Sequence, residues 1–317
     1  MKKFVAVLFA IVLGVAAFGC NKPSSNDKYT VFMPVGAPAL SMASVMSSGD
    51  KIGGKEFDFN VVNASTIGTY VANKEADFAI MPTNAAVNLY NNANAPYQMI
   101  SVNTYGNLYI NVSGAISLED LKGKVVACIG RGQVPSLVFI ACLNESGIEY
   151  VESESAVEGK VAIRYAADGP NAIALRKANQ ADAAVLGEPA ATGSVANITG
   201  SSLLNLQEIY GSLFGGQGFP QACLIVKKGV DANVIDALLS ALENNSQWCQ
   251  ENPALALDAV KNNMYGDTAS SLASLNATIV SRCNLVLKRA ADVKNEVNTF
   301  MEALGIEAPD DGFYYGL

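Results

Sequence analysis

The chain has 317 residues, of which half are hydrophobic and 16% are charged, and its net charge is −8. This composition is typical of a folded protein with a large core, and the acidic balance argues against a nucleic-acid partner, which would need a basic surface. The chain has no histidine, which excludes imidazole metal ligands and Ser–His or Cys–His catalysis.

The first predicted element is a signal peptide at residues 1–19. Two lysines precede an apolar stretch that is short for a transmembrane helix, and small residues lead into Cys20 in "AAFGC". This pattern resembles a bacterial lipobox, which implies cleavage before Cys20 and attachment of lipid to it. Residues 20–27 then form a polar tether, and the exported protein would be anchored to the outer face of the cytoplasmic membrane, in a periplasm or at a cell surface. An anchor helix, or a secretory signal with a chance cysteine, is the alternative.

Four later segments share one pattern, in which an apolar run is followed by a loop with Gly or Pro and then by a helical pattern. They are "TVFMPVGAPAL", "FAIMPTNAAV", "VVACIGRGQVPSL" and "AAVLGEPAAT". Strands that alternate with helices predict an α/β fold with mainly parallel sheets covered on both faces. Because parallel crossovers are right-handed, the loops open at one edge of a sheet, where ligands bind.

Each of these loops combines small residues with the N-terminus of a predicted helix, whose free N–H groups attract anions and polar groups. A single loop of this kind is explained by an ordinary turn, but four in one exported chain favour a binding site. The candidate ligand-binding residues in the loops are Gly36, Ala37, Pro38, Thr83, Asn84, Arg131, Gly132, Gln133, Ser136 and Glu188.

Two further β patterns bracket the middle of the chain. The first, "QMISVNTYGNLYINV", predicts one long strand or two short ones, and the second is "FPQACLIVKKG". After Gly229 the pattern is helical, over residues 231–263 and again over residues 271–306. The simplest assembly has lobe 1 at residues 28–107 plus 212–317 and lobe 2 at residues 108–211, with two hinge crossings and a ligand cleft between the lobes.

The cysteines beyond Cys20 lie mostly in apolar runs, and none forms a CxxC pair. This pattern predicts buried small side chains rather than metal ligands, and one disulfide remains an alternative. No cofactor or metal is expected. The five residues are Cys128, Cys142, Cys223, Cys249 and Cys283.

Seven segments in order resemble the solute-binding proteins of bacterial ABC importers, and they are most similar to the branch of nitrate, sulfonate, taurine and thiamine-precursor binders. The resemblance implies a periplasmic-binding-protein fold of the second type. It also implies a non-enzymatic protein that closes on one small solute and delivers it to a permease powered by a separate ATPase. Because closure of the lobes needs no partner subunit, we expect a monomer. The segments are "PVGAPALSM", "IMPTNAAVNLYN", "NTYGNLYI", "LKGKVVACIGRGQVPSLVF", "ADAAVLGEPAAT", "GFPQACLIVKKG" and "APDDGFYYG".

The loop "GRGQVPS" departs from "GKGTTPD", the form seen in many members of that family. Its glycine and proline positions are kept, whereas Arg131, Gln133 and Ser136 replace the usual residues. We expect its backbone N–H groups, Gln133 and Ser136 to bind a carboxylate, sulfonate, phosphate or ring carbonyl. Arg131 favours an anionic ligand, and its alternatives are a solvated charge or a salt bridge to the other lobe.

Three candidates lie near the predicted hinge. Glu188 is interpreted as an acceptor for a ligand amine or ring N–H, with a helix cap or a hinge contact as the alternative. Tyr105 would stack on a flat ligand or serve as a core tyrosine. Asn107 belongs to the "GNLY" run that the family often keeps.

The alternatives to a solute-binding protein are an enzyme of the same fold and a ligand-sensing lipoprotein. A same-fold enzyme of thiamine-precursor metabolism would use a histidine of its own chain, and this chain has none. A same-fold enzyme of menaquinone metabolism would be cytoplasmic, whereas this chain carries an export signal. A ligand-sensing lipoprotein would differ from a transport protein only in its partner.

Overall fold

The computed structural model describes residues 27–93, 95–216, 218–266 and 276–317. The predicted signal peptide, Cys20 and all of the predicted tether except its last residue lie outside these residues. Within the described ranges, no helix is long and apolar enough to cross a membrane.

The described strands and helices alternate along much of the chain. The strands are β1 (Lys28–Pro34), β2 (Lys51–Ile52), β3 (Lys55–Val62), β4 (Phe78–Pro82), β5 (Tyr97–Tyr105), β6 (Leu108–Val112), β7 (Val125–Ile129), β8 (Tyr150–Glu152), β9 (Val161–Ala166), β10 (Ala183–Gly187), β11 (Ser202–Asn205), β12 (Pro220–Lys227) and β13 (Leu285–Arg289). The α-helices are α1 (Ala37–Leu40), α2 (Ala43–Ser48), α3 (Ile67–Ala72), α4 (Thr83–Ala93), α5 (Val134–Glu145), α6 (Gly169–Lys177), α7 (Ala190–Asn197), α8 (Leu206–Phe214), α9 (Ala232–Leu242), α10 (Asn245–Glu251), α11 (Pro253–Asn262), α12 (Ala277–Arg282) and α13 (Ala290–Ala303).

The strands form two sheets. The sheet of lobe 1 has the strand order β13-β5-β12-β4-β1-β3-β2, and the sheet of lobe 2 has the order β11-β6-β10-β7-β9-β8. Strands β3, β1 and β4 are parallel in lobe 1, and β8, β9, β7 and β10 are parallel in lobe 2. All four predicted strand–loop–helix units are present, as β1–α1, β4–α4, β7–α5 and β10–α7. The predicted α/β fold with two lobes and two crossings is confirmed.

The chain crosses between the lobes twice. It leaves lobe 1 between β5 and β6, which are separate strands in different sheets, and it returns between α8 and β12. Helix α8 packs against α5 and β6 of lobe 2. The division at 107/108 and 211/212 stays a proposal, with its first boundary between β5 and β6 and its second inside α8.

A cluster of buried apolar side chains runs through both lobes beside the crossings. Tyr210 on α8 contacts the ring of Phe219 edge-on, with 5.3 Å between ring centroids, and Phe219 stacks on Phe300 of α13 at 5.5 Å. Aromatic pairs at these distances stabilise the packing beyond their buried area. The lobes therefore share a core next to the hinge.

The helical prediction for the C-terminal region is wrong at one segment. Leu285–Arg289 forms strand β13, which pairs antiparallel with β5 at the edge of the lobe 1 sheet. Asn284 has a φ of 48°, a left-handed conformation that ends α12 and redirects the chain. Pairing with β5 then overrides the local helical pattern.

The cysteines behave as the sequence predicts. Within the described residues all five are free and buried, and burial raises the pKa of each thiol to about 12. A thiol in such surroundings is unreactive because the thiolate is the nucleophile.

Candidate ligand-binding cleft

The strand register places the candidate loops at two sheet edges that flank the crossings. In lobe 1, Tyr105 at the end of β5 pairs with Pro220, and Pro82 at the end of β4 pairs with Ala222. In lobe 2, Leu108 at the start of β6 pairs with Gly187 at the end of β10. Because only two residues separate β5 from β6, these edges meet at the crossing, and the space between them is termed the cleft.

The lobe 1 rim, defined as residues 34–41 and 82–86, contains no ionisable side chain. Gly36 has φ 112° and ψ −149°, a conformation that L-residues rarely adopt, and Pro38 occupies the first turn of α1 directly after it. Ala37 is buried. Glycine at this position therefore allows β1 to turn directly into α1.

The second part of this rim is the start of helix α4, directly after β4. Thr83 is fully buried and Asn84 is 8% exposed. Within the described residues, the Oδ1 atom of Asn84 is buried and has no hydrogen-bond partner. Unpaired buried acceptors are rare because they cost free energy, so this oxygen is a ready acceptor for a ligand N–H or O–H once local packing opens.

The loop "GRGQVPS" is a strand-to-helix turn closed by its own polar groups. Gly130 and Gly132 have φ angles of 68° and 70°, and Gln133 is the exposed N-cap of α5 with extended backbone. The buried Ser136 hydroxyl donates to the Gly130 carbonyl at 2.6 Å. The predicted ligand contact of Ser136 is therefore replaced by a structural bond, whereas Gly132 and Gln133 remain exposed at the rim.

Arg131 finds its partners within lobe 2. Its Nη2 atom lies 2.5 Å from Glu152 Oε2, and its guanidinium lies 5.1 Å from the ring centroid of Tyr165. Its side chain is 68% exposed. The alternative of a salt bridge to the other lobe is wrong, because both contacts belong to the sheet that carries Arg131.

Glu188 caps a helix and contacts the hinge, as its alternative interpretation predicts. The fully buried carboxylate accepts hydrogen bonds from the backbone N–H of Thr192 at 3.1 Å and from its hydroxyl at 2.6 Å. These bonds satisfy the first turn of α7, where negative charge is favourable. The Glu188 N–H donates to the Asn107 carbonyl at 3.1 Å, so the structure brings these two candidates together.

Arg282 is a cleft residue that the sequence pattern does not indicate. It ends α12 in lobe 1, and its Nη1 atom donates to Thr192 Oγ1 of lobe 2 at 2.8 Å and lies 4.0 Å from Glu188 Oε1. The sequence shows Arg282 only as a basic residue in a C-terminal helical pattern, far from the four loops. The one available signal, a cation at a helix C-terminus, does not indicate a ligand site.

Tyr105 takes the role of a core tyrosine. It is 3% exposed, its hydroxyl donates to Glu296 of α13, and the Lys288 Nζ atom lies 4.6 Å from its ring centroid. Burial and the bond to Glu296 raise the pKa of Tyr105 well above its ordinary value. Its ring face is already covered, so the predicted stacking on a flat ligand is not supported.

Two lobe 1 side chains fix the first crossing. The Asn107 N–H donates to Gln221 Oε1 at 2.9 Å, and Asn284 Nδ2 donates to the Gly106 carbonyl at 2.5 Å. Tyr109, the second residue of β6, is buried beside Glu188. Burial, and to a smaller extent the negative charge of Glu188, raise the pKa of Tyr109 to about 12. The crossing is thus an ordered joint with few free polar groups.

A surface cavity of about 610 Å³ lies elsewhere on lobe 1. Its lining includes Tyr90, Lys228 and Asp310. Lys228 follows the carboxyl end of β12, whereas the cleft lies at the amino end of that strand. We therefore place the candidate site at the facing rims and not in this cavity.

Comparison with known proteins shows similarity at the level of structure. No protein-family model matches the chain, and no curated protein matches it. An ABC transporter structure from Parabacteroides distasonis has a TM-score of 0.73 and 19% identity, covering 91% of this chain and 98% of that chain. The periplasmic aliphatic sulphonate binding protein SsuA from Escherichia coli has a TM-score of 0.63 and 12% identity, with 89% of each chain covered.

A third structure has the same fold. The ligand binding component of an ABC-type import system from Staphylococcus aureus, with zinc bound, has a TM-score of 0.61 and 8% identity, covering 90% of this chain and 95% of that chain. Identities this low establish the fold alone. The chain has the two-sheet α/β fold of the periplasmic binding proteins, which is shared by solute-binding proteins of ABC importers.

Proposed function

We propose that this protein is the solute-binding component of an ABC importer. It closes two lobes on a small organic or anionic solute and delivers that solute to a permease driven by a separate ATPase. The observation that carries the proposal is the cleft, where two rims of strand ends and helix N-termini flank an ordered crossing. Ligands of α/β sheets bind at such edges, and proteins of this fold include a sulphonate-binding protein and an import component.

The rims suggest how a solute would be bound. In lobe 1, the backbone at Gly36, the start of α4 and the Asn84 amide offer neutral hydrogen-bonding groups. In lobe 2, Gly132 and the Gln133 side chain lie exposed where α5 begins, and the Gln133 amide would be open to a solute, whereas the Gln133 N–H already donates to the Gly130 carbonyl at 2.8 Å. Closure would bring these groups together and exclude water, which strengthens each polar contact.

The cellular location is part of the proposal. A lipid on Cys20 and a short tether would hold the protein at the outer face of the cytoplasmic membrane as a monomer. Support comes from the lipobox-like segment before Cys20 and from neighbours that include a periplasmic binding protein. Mass spectrometry of the N-terminal peptide from membranes tests this directly. We expect a lipid-modified peptide that begins at Cys20, and an unmodified peptide that retains residues 1–19 would contradict the anchor.

Native mass spectrometry of residues 21–317, purified without added ligand, tests the binding function. We expect a retained small molecule, whose mass gives the class of solute. For an empty protein, melting against sulfonates, nitrate, thiamine precursors, flavins and nucleobases should reveal a ligand, because a molecule that binds only the folded state raises the melting temperature. Chemical conversion of the bound molecule without a transporter, or no binding in either experiment, would contradict the proposal.

A further inference from the structure

The cleft contains a cation outside the four loops, and it joins the two lobes. Arg282 extends from α12 of lobe 1 to the first turn of α7 in lobe 2, where Nη1 donates to Thr192 Oγ1 at 2.8 Å. Its side chain is 39% exposed. Arg282 is therefore anchored at one nitrogen and still accessible.

Much of the Arg282 guanidinium has no acceptor. An arginine carries five N–H donors in a planar fork, and in the described part of the chain only Nη1 of Arg282 has a hydrogen-bond or ion-pair partner. Its Nε and Nη2 donors point along a second edge of the fork. An edge of this kind matches the two oxygens of a carboxylate, sulfonate or phosphate.

The carboxylate nearest to Arg282 is already bound by other groups. Glu188 lies 4.0 Å from Nη1, which is beyond hydrogen-bond distance, and it accepts from both the N–H and the hydroxyl of Thr192. Its fully buried side chain cannot swing toward the Nε–Nη2 edge of Arg282 without breaking those bonds. Glu188 thus lowers the local positive charge without occupying the free donors.

The other exposed arginines differ from Arg282. Arg131 is paired with Glu152 and stacked on Tyr165, and Arg289 lies 3.4 Å from Asp236. Each of these pairs is exposed and lies within one lobe. Among the described residues, Arg282 is the arginine whose contacts cross between the lobes.

We propose that Arg282 is the residue that binds an oxyanion group of the solute, through its Nε–Nη2 edge. This inference rests on the proposed function and narrows the solute to molecules that carry a carboxylate, sulfonate or phosphate group. It transfers to Arg282 the role that the sequence suggested for Arg131. Because Thr192 of lobe 2 anchors the guanidinium, an anion bound to Arg282 would lie where the two lobes meet.

Nuclear magnetic resonance of the arginine Nε–H groups tests this site in residues 21–317. The probes are methanesulfonate, acetate and inorganic phosphate, with sodium chloride at equal ionic strength as the control. We expect the Arg282 signal to shift and saturate at a concentration at least about tenfold lower than the signals of Arg131 and Arg289, because those side chains already have partners. Saturation by the organic anions but not by phosphate would indicate a carboxylate or sulfonate solute, and the reverse would indicate a phosphate group.

Three variants sharpen the test. Arg282→Gln assigns the signal and removes saturable binding, whereas Arg131→Gln leaves the Arg282 shift unchanged. Thr192→Val keeps the side-chain shape but removes the anchor, and we expect it to weaken anion binding by about threefold to tenfold. If Arg282→Gln does not fold, the wild-type titration and Arg131→Gln still decide the question.

An Arg282 signal that does not move, or that moves only in parallel with those of Arg131 and Arg289, overturns the inference. The outcomes that contradict the proposed function are different from those that contradict the role of Arg282. A solute retained equally by the wild type and by Arg282→Gln would leave the binding function intact and remove Arg282 from it. A saturable shift at Arg282 in a protein that retains no solute and shows no melting shift would leave the anion site intact and contradict the import role.

Discussion

The two rims of the cleft differ in how their polar groups are used. The lobe 1 rim has no ionisable side chain, and it contains a buried Asn84 oxygen without a partner in the described structure. The lobe 2 rim, at residues 129–137, 166–171 and 187–192, carries Arg131, Asp168 and Glu188, and the hydrogen bonds of each lie within lobe 2. Glu188 also forms a longer ion pair with Arg282 of lobe 1, at 4.0 Å. We conclude that lobe 1 keeps polar capacity for a ligand, whereas the charges of lobe 2 mainly stabilise its own loops.

The largest expected effect is at the joint between the rims. A Cβ atom at Gly106 would overlap the Phe219 ring, and the Gly106 N–H already donates to the Phe219 carbonyl. We expect Gly106→Ala to lower the free energy of unfolding by about 3 kcal/mol, since overpacking at a fixed backbone forces shifts in both lobes. Urea denaturation measures this loss.

Gly68→Ala is the matched control for Gly106→Ala. Gly68 lies on α3, where an added Cβ atom would have no neighbour within 4 Å, and alanine favours a helix. We expect unchanged or slightly raised stability. Equal stability of the two variants would contradict a tightly packed joint.

The next largest effect is on stability, and it compares a buried with an exposed carboxylate of lobe 2. Glu188→Ala removes the acceptor of the Thr192 N–H and hydroxyl at the start of α7. We expect a loss of about 2 kcal/mol in the free energy of unfolding, as for a lost helix cap with buried partners. Glu152→Ala, which removes the exposed partner of Arg131, should cost less than about 1 kcal/mol. Equal losses in urea denaturation would remove the distinction between buried and exposed charges on lobe 2.

In lobe 1 the expected effect is on binding rather than on stability. Asn84→Ala removes a buried oxygen that has no partner in the described structure, so the free energy of unfolding should change by less than about 0.5 kcal/mol. Affinity for the solute should fall by about tenfold, the value of one hydrogen bond. Calorimetry with the solute found by mass spectrometry measures this, and the exposed Asn88→Ala on the same helix is the control. Loss of stability without loss of affinity would assign Asn84 to the core.

The smallest expected effect is at Arg131. Its ion pair with Glu152 is exposed on both sides, and such pairs contribute little to stability. Arg131→Gln should change the free energy of unfolding by less than about 0.5 kcal/mol and leave solute affinity unchanged. A large loss of affinity in the same calorimetric experiment would return the anion-binding role to Arg131.

Local patterns in the sequence predicted much of the fold. The apolar runs before Gly36, Thr83, Gly130 and Glu188 are strands, and each is followed by the predicted helix. Asp231 caps α9, with its carboxylate accepting from the Asn233 N–H. These features are determined within a few residues, by periodicity and by capping chemistry.

Contacts between distant segments were not predictable in the same way. Strand β13 exists because β5 offers it an edge, and Arg282 belongs to the cleft because α12 ends opposite α7. Ser136 has the residue type of a ligand donor, yet the turn directs its hydroxyl to the Gly130 carbonyl. The loops of the candidate site were thus identified from sequence, but the partners of individual side chains depend on tertiary packing.

The central claim is that the lobes close on a solute, and the distance between the rims tests it most directly. Spin labels at Ser65→Cys and Ser155→Cys follow this distance, because these exposed sites come after β3 and β8, at the same sheet edges as the two rims. The native cysteines of the described structure are buried and should not be labelled. Double electron–electron resonance should show a population with a shorter distance between the two labels when the protein is saturated with its solute. An unchanged distance distribution at saturation would contradict closure of the cleft.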